Sequence, residues 1–426
     1  MRYFRLLVAG NAISAYGSYL NMVALNVFVY DVTHSALAAG VFMAVRLVSG
    51  VASGFVSGRL VSSFDRKRLM VSADVCQGAA LVVLLLAPHG ARVALLYGLA
   101  LVTGCCSTLS QVALRSSVPE IVGAEHRTRA NGLLVTGRSL AMIAGFASAG
   151  VVVAQLGYGF AFTLDALTFA VSATALLLLP IRTRAAAPGS VGEERTEGGA
   201  KPAGGRTRLL VRQVGPVILA MIAVRAVDGL GSSSHNVALP VYSSMLNPAH
   251  PATFVSQFWA TWAIGNLVTQ QVLAVLTRRC GRTPGERAFA LGACVMSACF
   301  ILVFCSLPTL AAIAVALVAG GADGFTEVVY VSRLQAAPDE QRGRLFGLSA
   351  SAENGGFGLG MLVSGALMES FTPLTVVAWL HGVAIVLCLA LLVWLVVRGR
   401  GPVPQELAAD GSERLPRTAT PEGSGR

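Results

Sequence analysis

Twelve long hydrophobic stretches organise the chain. They fall at about 6–30, 35–58, 69–88, 91–114, 132–155, 158–180, 214–242, 252–277, 288–307, 309–331, 346–369 and 373–397. A helix rises 1.5 Å per residue, so roughly 20 apolar residues cross a bilayer core. The pattern therefore predicts an all-α membrane protein with twelve transmembrane helices. The first stretch follows Arg2 and Arg5 as a signal peptide would, but it runs past Val27 without a clear cleavage site and reads as a retained helix.

Two segments interrupt the pattern. Residues 181–213 contain Ala185-Ala-Ala-Pro-Gly-Ser and Gly198-Gly-Ala-Lys-Pro-Ala-Gly-Gly, the composition of a flexible linker. Residues 399–426 are Pro, Gly, Ser, Glu and Arg without periodicity, which reads as a disordered tail. The expected organisation is a six-helix bundle over 1–180, a linker, a second six-helix bundle over 214–398, and the tail.

Composition sharpens this picture. Only 12% of residues are charged and 54% are hydrophobic, against roughly 25% charged in a soluble domain. So few charges cannot cover a water-soluble protein of 426 residues, which nearly excludes a soluble enzyme. The net charge of +11 first suggests nucleic acid. Position overturns that reading. With twelve spans, the loops at 30–35, 87–91, 156–158, 243–251, 308 and 370–372 share one side and hold no Lys or Arg, with Arg92 beside one of them. The other side holds 28 of the 32 basic residues, and Arg46, Arg138 and Arg225 lie inside spans. By the positive-inside rule both termini and the linker are cytoplasmic, in a multi-pass protein of the cell membrane. The basic residues record topology and contact with anionic lipid, not a nucleic-acid site. Thirty of them are Arg, a bias that suggests a GC-rich bacterial genome.

Ionisable groups inside a membrane are functional hypotheses by default. The spans carry Asp74, Asp165, Asp228, Asp323, Glu327 and Glu353 with Arg46, Arg138 and Arg225. Asp228 and Asp323 fall near mid-depth. Arg225 and Asp228 are three apart and share a helix face, as do Asp323 and Glu327, four apart. The rival to a proton or substrate role is a structural bridge from Arg225 to Asp228 or Asp323. Glu327 sits nearer the cytoplasm. His235 titrates near neutral pH and could relay a proton, although a hydrogen-bonded structural His is the blander reading. Asp74, Arg138 and Glu353 read as gate or packing groups, Asp165 as structural, and Arg46 as a charge needing an unidentified partner. Asn11, Ser14, Ser18 and Asn21 form a polar stripe along the first span, with Asn21 at mid-depth. Trp259, Trp262 and Asn266 could meet an aromatic substrate, with packing the blander alternative. Gly50, Gly54, Gly58, Gly355, Gly356, Gly358 and Gly360 read mainly as helix-packing positions.

Other chemistry is not signalled. Neither Lys67 nor Lys201 is followed by Ser or Thr, so no P-loop ATPase motif exists. No HExxH or GxSxG motif occurs. The eight Cys lack CxxC spacing, and seven lie in apolar runs, so no disulfide frame, metal site or cofactor is expected.

The two halves repeat one another. Leu114-Arg-Ser-Ser-Val-Pro119-Glu120 then Arg127-Thr-Arg129 follows span four, and Leu334-Gln-Ala-Ala-Pro338-Asp339-Glu340 then Arg342-Gly-Arg344 follows span ten. Parallel six-helix halves are a known transporter plan. Gly58-Arg-Leu60-Val-Ser62-Ser63-Phe64-Asp65-Arg66-Lys67-Arg68, between spans two and three, resembles the signature of the major facilitator superfamily. With Ser14-Ala-Tyr-Gly17, Ala130-Asn131-Gly-Leu133 and Asp165-Ala-Leu-Thr-Phe169, the chain over about 1–398 resembles the exporter subgroup of enterobactin-exporter and macrolide-efflux proteins. The resemblance implies two pseudo-symmetric six-helix bundles and a cavity lined by spans one, four, seven and ten. It makes Gly58, Asp65, Arg66, Arg68, Arg342 and Arg344 candidates for the cytoplasmic gate. It also makes Asp228, Asp323, Arg225, Glu327, His235 and Asn21 candidates for proton coupling or substrate binding. Two departures stand out: the signature acid is Ser62, which Asp65 could partly replace, and Gly145-Phe146 stands where antiporters carry Gly-Pro. The implied function is proton-coupled efflux of a small amphipathic molecule by a monomer. The alternatives are an uncoupled facilitator or importer, or a non-transporting membrane sensor.

Overall fold

The computed structural model describes residues 2–123, 126–179, 216–280, 284–337 and 339–398. The expected linker, 181–213, and tail, 399–426, lie outside the described residues. The first half contains α1 (Arg2–Thr33), α2 (Ala36–Ser63), α3 (Arg66–Leu85), α4 (Arg92–Val122) and a continuous run, Arg127–Leu178. That run is two helices end to end. Gly157 breaks it with φ 79°, a left-handed conformation that glycine adopts without a steric penalty. We label its parts before and after Gly157 α5 and α6. The second half contains α7 (Pro216–Leu246), α8 (Pro251–Cys280), α9 (Glu286–Val303), α10 (Thr309–Gln335), α11 (Asp339–Met368) and α12 (Pro373–Arg398).

Helix starts follow local chemistry. Ser35 caps α2 by accepting from the Ala38 N–H, and Asp65 caps α3 by accepting from the Arg68 N–H. Pro opens α7, α8 and α12, where its missing N–H costs nothing. Several helices overrun the apolar stretches at the end nearest the linker: α2 continues to Ser63, α4 to Val122, and α11 begins at Asp339. Hydropathy marks where lipid ends, and backbone hydrogen bonding carries the helix beyond it.

By length and composition alone, nine described stretches can cross a membrane, one of them the double run α5–α6. The other two long helices, α8 and α11, are too polar to qualify. Their polar side chains reach neighbouring helices, as Asn266 of α8 does to Asp323 of α10 and as Ser349 and Glu353 of α11 do to Tyr330 of α10 and Arg225 of α7.

Within each half, α1 packs on α5 and α2 on α4, as α7 packs on α11 and α8 on α10. The halves meet along α5–α8 and α2–α11. Lys67 at the start of α3 donates to the carbonyls of Leu177 and Leu179 at the end of α6, and Arg287 at the start of α9 donates to Leu395 near the end of α12. Both place a cation on a helix C-terminus, the favourable end of the dipole.

The cores reveal the conformation. One hydrophobic cluster joins both halves at the end away from the linker, the far end, through Leu20, Phe42, Phe146, Leu239, Phe258 and Met361. At the linker end the core splits: Phe4, Val61, Met70 and Leu176 pack in the first half alone, and Met221, Phe289, Tyr330 and Leu391 in the second alone. The molecule is thus sealed at the far end and divided at the linker end.

Glu369, in the turn after α11, adds a polar latch to this seal. Its carboxylate accepts from the Leu37 N–H at 3.0 Å and the Ser35 hydroxyl at 2.8 Å. These bonds, the backbone one first, hold the exposed carboxyl below the usual carboxylate range. A depressed carboxyl contributes to closure above that range and loses the contribution as pH falls through it. Spin-label distances between α2 and α11 at the far end should therefore lengthen on acidification. Glu369→Gln should lengthen them at neutral pH and flatten the acid response.

Candidate functional site

The central cavity lies between the halves and has a volume of about 710 Å³. Its wall is largely apolar, with Met22, Met43, Leu47, Phe55, Phe357 and Met361, and carries Asn26, Asn236 and Asn354. Helices α1, α2, α4, α7 and α11 supply these residues, while α10 contributes none. The expectation that spans one, four, seven and ten line the cavity is corrected in that respect: α2 and α11 supply wall residues where α10 supplies none.

The second half gathers its charges in a cluster around Arg225, none of whose charged members lines this cavity. The Arg225 guanidinium bonds Asp228 at 3.2 Å and Glu327 at 2.6 Å, and lies 3.8 Å from Glu353. Asp323 acts on the same guanidinium through space and accepts from the Asn266 amide at 3.2 Å. Gln270 in turn donates to Asn266 at 2.7 Å. Four carboxylates thus surround one cation. The Arg225 side chain is 13% exposed and that of Asp228 is 8%, while those of Glu327 and Glu353 reach 44% and 32%. One oxygen of Asp228, Oδ1, is buried without a hydrogen-bond partner.

Glu353 was expected to be a gate or packing residue, and the structure places it in this cluster instead. The reason is backbone proximity. A Cβ on Gly356 would strike the Ala226 carbonyl, and one on Gly229 would lie 2.9 Å from the Glu353 carbonyl. Helices α7 and α11 therefore cross at close range and carry Glu353 to Arg225. Tyr330 and Ser349 are further members that the sequence reading did not single out. Ser349 donates to Glu353 at 2.8 Å, so its oxygen accepts from Tyr330 at 2.7 Å. The Tyr330 ring lies under the guanidinium at 5.4 Å. The signal available in sequence was numerical: six acids against three cations inside spans.

His235 stands apart from this cluster. Its Nδ1 lies 3.2 Å from His381 Nε2, and its ring stacks on Phe300 at 3.9 Å. Both histidines are buried, and the neighbouring Asn236 faces the cavity. The geometry is that of a packed structural pair, and His381 is a partner the sequence reading missed. Trp259 is buried and packs edge-on against the half-buried Trp262. Trp259 packs on Phe146 of the other half at 5.8 Å, where Phe146 also meets Tyr19 at 5.2 Å. The residue standing in place of the antiporter proline thus joins the halves at the far end, and its carbonyl accepts from the Ser256 hydroxyl.

In the first half, Asn11, Ser14, Ser18 and Asn21 all line a second recess that shares Met22 and Arg46 with the central cavity. Asn21 donates to Asp165 at 2.6 Å. Arg46, whose partner the sequence left open, lines the recess together with Asp165 and feels its charge.

The expected gate residues tie helices within each half. Asp65 caps α3, Arg66 donates to the Ser116 carbonyl of α4 at 2.8 Å, and Arg342 donates to Ala337 at 3.2 Å. Arg68 and Arg344 are exposed. Ser62 turns back to the Arg59 carbonyl. A Cβ on Gly58 would meet nothing within 4 Å, as on Gly355, whereas Gly50, Gly356 and Gly360 do sit at close helix crossings.

Comparison with known proteins gives a consistent result. The chain matches solved structures of the nucleoside transporter NupG at TM-score 0.70 and 13% identity, over 93% of this chain and 99% of that one. It matches a bacterial homologue of the iron transporter ferroportin in an inward-facing state at 0.66 and 15%, over 92% and 98%. It matches the peptide transporter POT in complex with sulfate at 0.68 and 16%, over 94% and 95%. A search of curated proteins gives no significant match. The family model of the Major Facilitator Superfamily matches residues 7–331 and again 221–421. With two six-helix halves around a central cavity and a family match over most of its length, this multi-pass membrane protein belongs to the Major Facilitator Superfamily of transporters.

Proposed function

We propose that the protein is a proton-coupled exporter of small amphipathic molecules, working by alternating access, with its termini and linker in the cytoplasm of the cell membrane. The observation that carries coupling is the cluster of four carboxylates around Arg225. Inside a membrane such an excess of negative charge must be met by protons or cations, and titration is then shared by the group. The apolar wall of the 710 Å³ cavity supports an amphipathic substrate. The sealed far end and divided linker end support loading from the cytoplasmic side. The motifs shared with enterobactin-exporter and macrolide-efflux proteins support the outward direction.

In this cycle, deprotonation of the cluster in the cytoplasm-facing state admits substrate. Protonation from the outside releases it. Inverted vesicles carrying the protein should move a fluorescent amphipathic dye when a pH gradient is imposed. Asp228→Asn and Asp323→Asn should each abolish that movement, and unchanged transport in both variants would sink the coupling mechanism. Phe146 in place of the antiporter proline favours a second reading, an uncoupled facilitator, whose mark is flux insensitive to an uncoupler. The nucleoside, metal and peptide transporters among the structural neighbours show that the fold does not choose the substrate; antibiotics and siderophores form the first panel to test by accumulation in cells with and without the protein.

A further inference from the structure

The recess in the first half holds charges that the coupling cluster does not use. Its volume is about 170 Å³, roughly that of six waters at about 30 Å³ each. It joins the central cavity, because Arg46 and Met22 line both spaces. Two guanidiniums and two carboxylates face it: Arg46, Arg138, Asp74 and Asp165.

Two of the four are accounted for within the protein. Asp165 is buried, accepting from Asn21 at 2.6 Å and from the Thr168 hydroxyl at 3.3 Å. Arg138 donates to the Tyr19 hydroxyl at 3.0 Å and lies over its ring. The other two are met only in part: Ser172 hydrogen-bonds the Asp74 carboxylate, and nothing pairs with the Arg46 guanidinium among the described residues. The Arg46 guanidinium makes no hydrogen bond and no ion pair within 4 Å among the described residues; the Asp165 charge reaches it only through space. Asp74 is 4% exposed, and its Oδ2 is buried without a hydrogen-bond partner. The Oδ1 of Asn21, 3% exposed, is likewise unpartnered. Buried polar atoms without partners are rare in native proteins and mark places where something else binds.

The recess therefore offers a cation where it adjoins the central cavity and two acceptor atoms, Asp74 Oδ2 and Asn21 Oδ1, that no protein donor meets. We propose that it binds the head group of a zwitterionic amphipathic substrate. The anionic group of the substrate meets Arg46. Its ammonium or other donor group meets Asp74 and Asn21. Its apolar body lies in the central cavity among Met43, Leu47, Phe357 and Met361. This names the substrate class for the transport reading and rests on it.

The test is calorimetric titration of the full-length protein in lipid nanodiscs with three probes sharing one apolar body. These are 3-(2-naphthyl)alanine, the zwitterion; 3-(2-naphthyl)propanoate, the anion; and 2-(2-naphthyl)ethylamine, the cation. The zwitterion should bind tightest. Arg46→Gln should weaken the zwitterion and the anion about tenfold or more and spare the amine, and Arg46→Lys should retain most of the affinity. Asp74→Asn should weaken the zwitterion and the amine and spare the anion. Variants that weaken all three probes alike, or none, overturn the proposal, as does the absence of binding by all three. Binding is read without transport, so the two readings fail separately. A charge-selective pattern in a protein that moves no substrate sinks the exporter. Transport without that pattern sinks the recess site alone.

Discussion

Replacing Arg225 with glutamine is expected to cost the folded protein about 3–5 kcal/mol, the usual loss when one partner of a buried ion pair is removed, and to abolish transport. Its fork holds Asp228 with one nitrogen and Glu327 with the other, and Glu353 lies 3.8 Å away. Without the guanidinium these acids and Asp323 face one another with no cation among them. Lysine in its place supplies the charge but not the two-pronged geometry, so Arg225→Lys should recover part of the stability and little transport. The double variant Arg225→Gln with Asp228→Asn removes one charge of each sign. It should melt closer to the native protein and still fail to transport. Thermal unfolding in detergent and dye movement in inverted vesicles check both arms. A single variant with native melting and native transport removes the cluster from the mechanism.

The second large effect is steric. Gly40 of α2 faces the Met361 carbonyl of α11 so closely that a Cβ would overlap it, and a Cβ on Gly365 would lie 3.0 Å from the Ala36 carbonyl and the Leu37 Cα. The obstacle is backbone, which cannot swing aside as a side chain could. Gly40→Val should therefore disfavour the sealed far end by about 1–3 kcal/mol, the usual cost of overpacking. At the upper end of that range the equilibrium between far-end-closed and far-end-open forms moves about a hundredfold. Spin-label distances across α2–α11 should then report the open form, and alternating access should stall. Gly355→Ala on the same helix, where nothing lies within 4 Å, is the matched control and should leave both readouts unchanged.

Twelve helices stand where the hydropathy pattern predicted them, although α8 and α11 are too polar to qualify as spans by composition alone. Linker-end overruns such as Leu60–Ser63 were not legible, because they leave the lipid. The α5–α6 break was placed at the right residues but read as a loop. Gly157 alone makes that turn, and the helix resumes at once. Arg225 and Asp228 could be paired from their spacing on one helix. Glu353, Tyr330, Ser349 and His381 could not, since their partners lie on other helices. Which residues of α11 meet α7 depends on where two glycine-lined helices cross, and spacing along one helix carries no information about crossings.

By itself, then, the sequence determined the medium, the number of long helices, the pseudo-repeat and the short roster of charges inside the membrane. Each of these follows from local composition and from the cost of placing charge in lipid. The tertiary structure decided how that roster was divided. It set four acids around Arg225 in one half, left the Arg46 guanidinium and one oxygen of Asp74 without a hydrogen-bond partner at a recess in the other, and closed one end of the cavity. Those outcomes depend on contacts between helices far apart in sequence, where a single close glycine crossing decides which charges can meet.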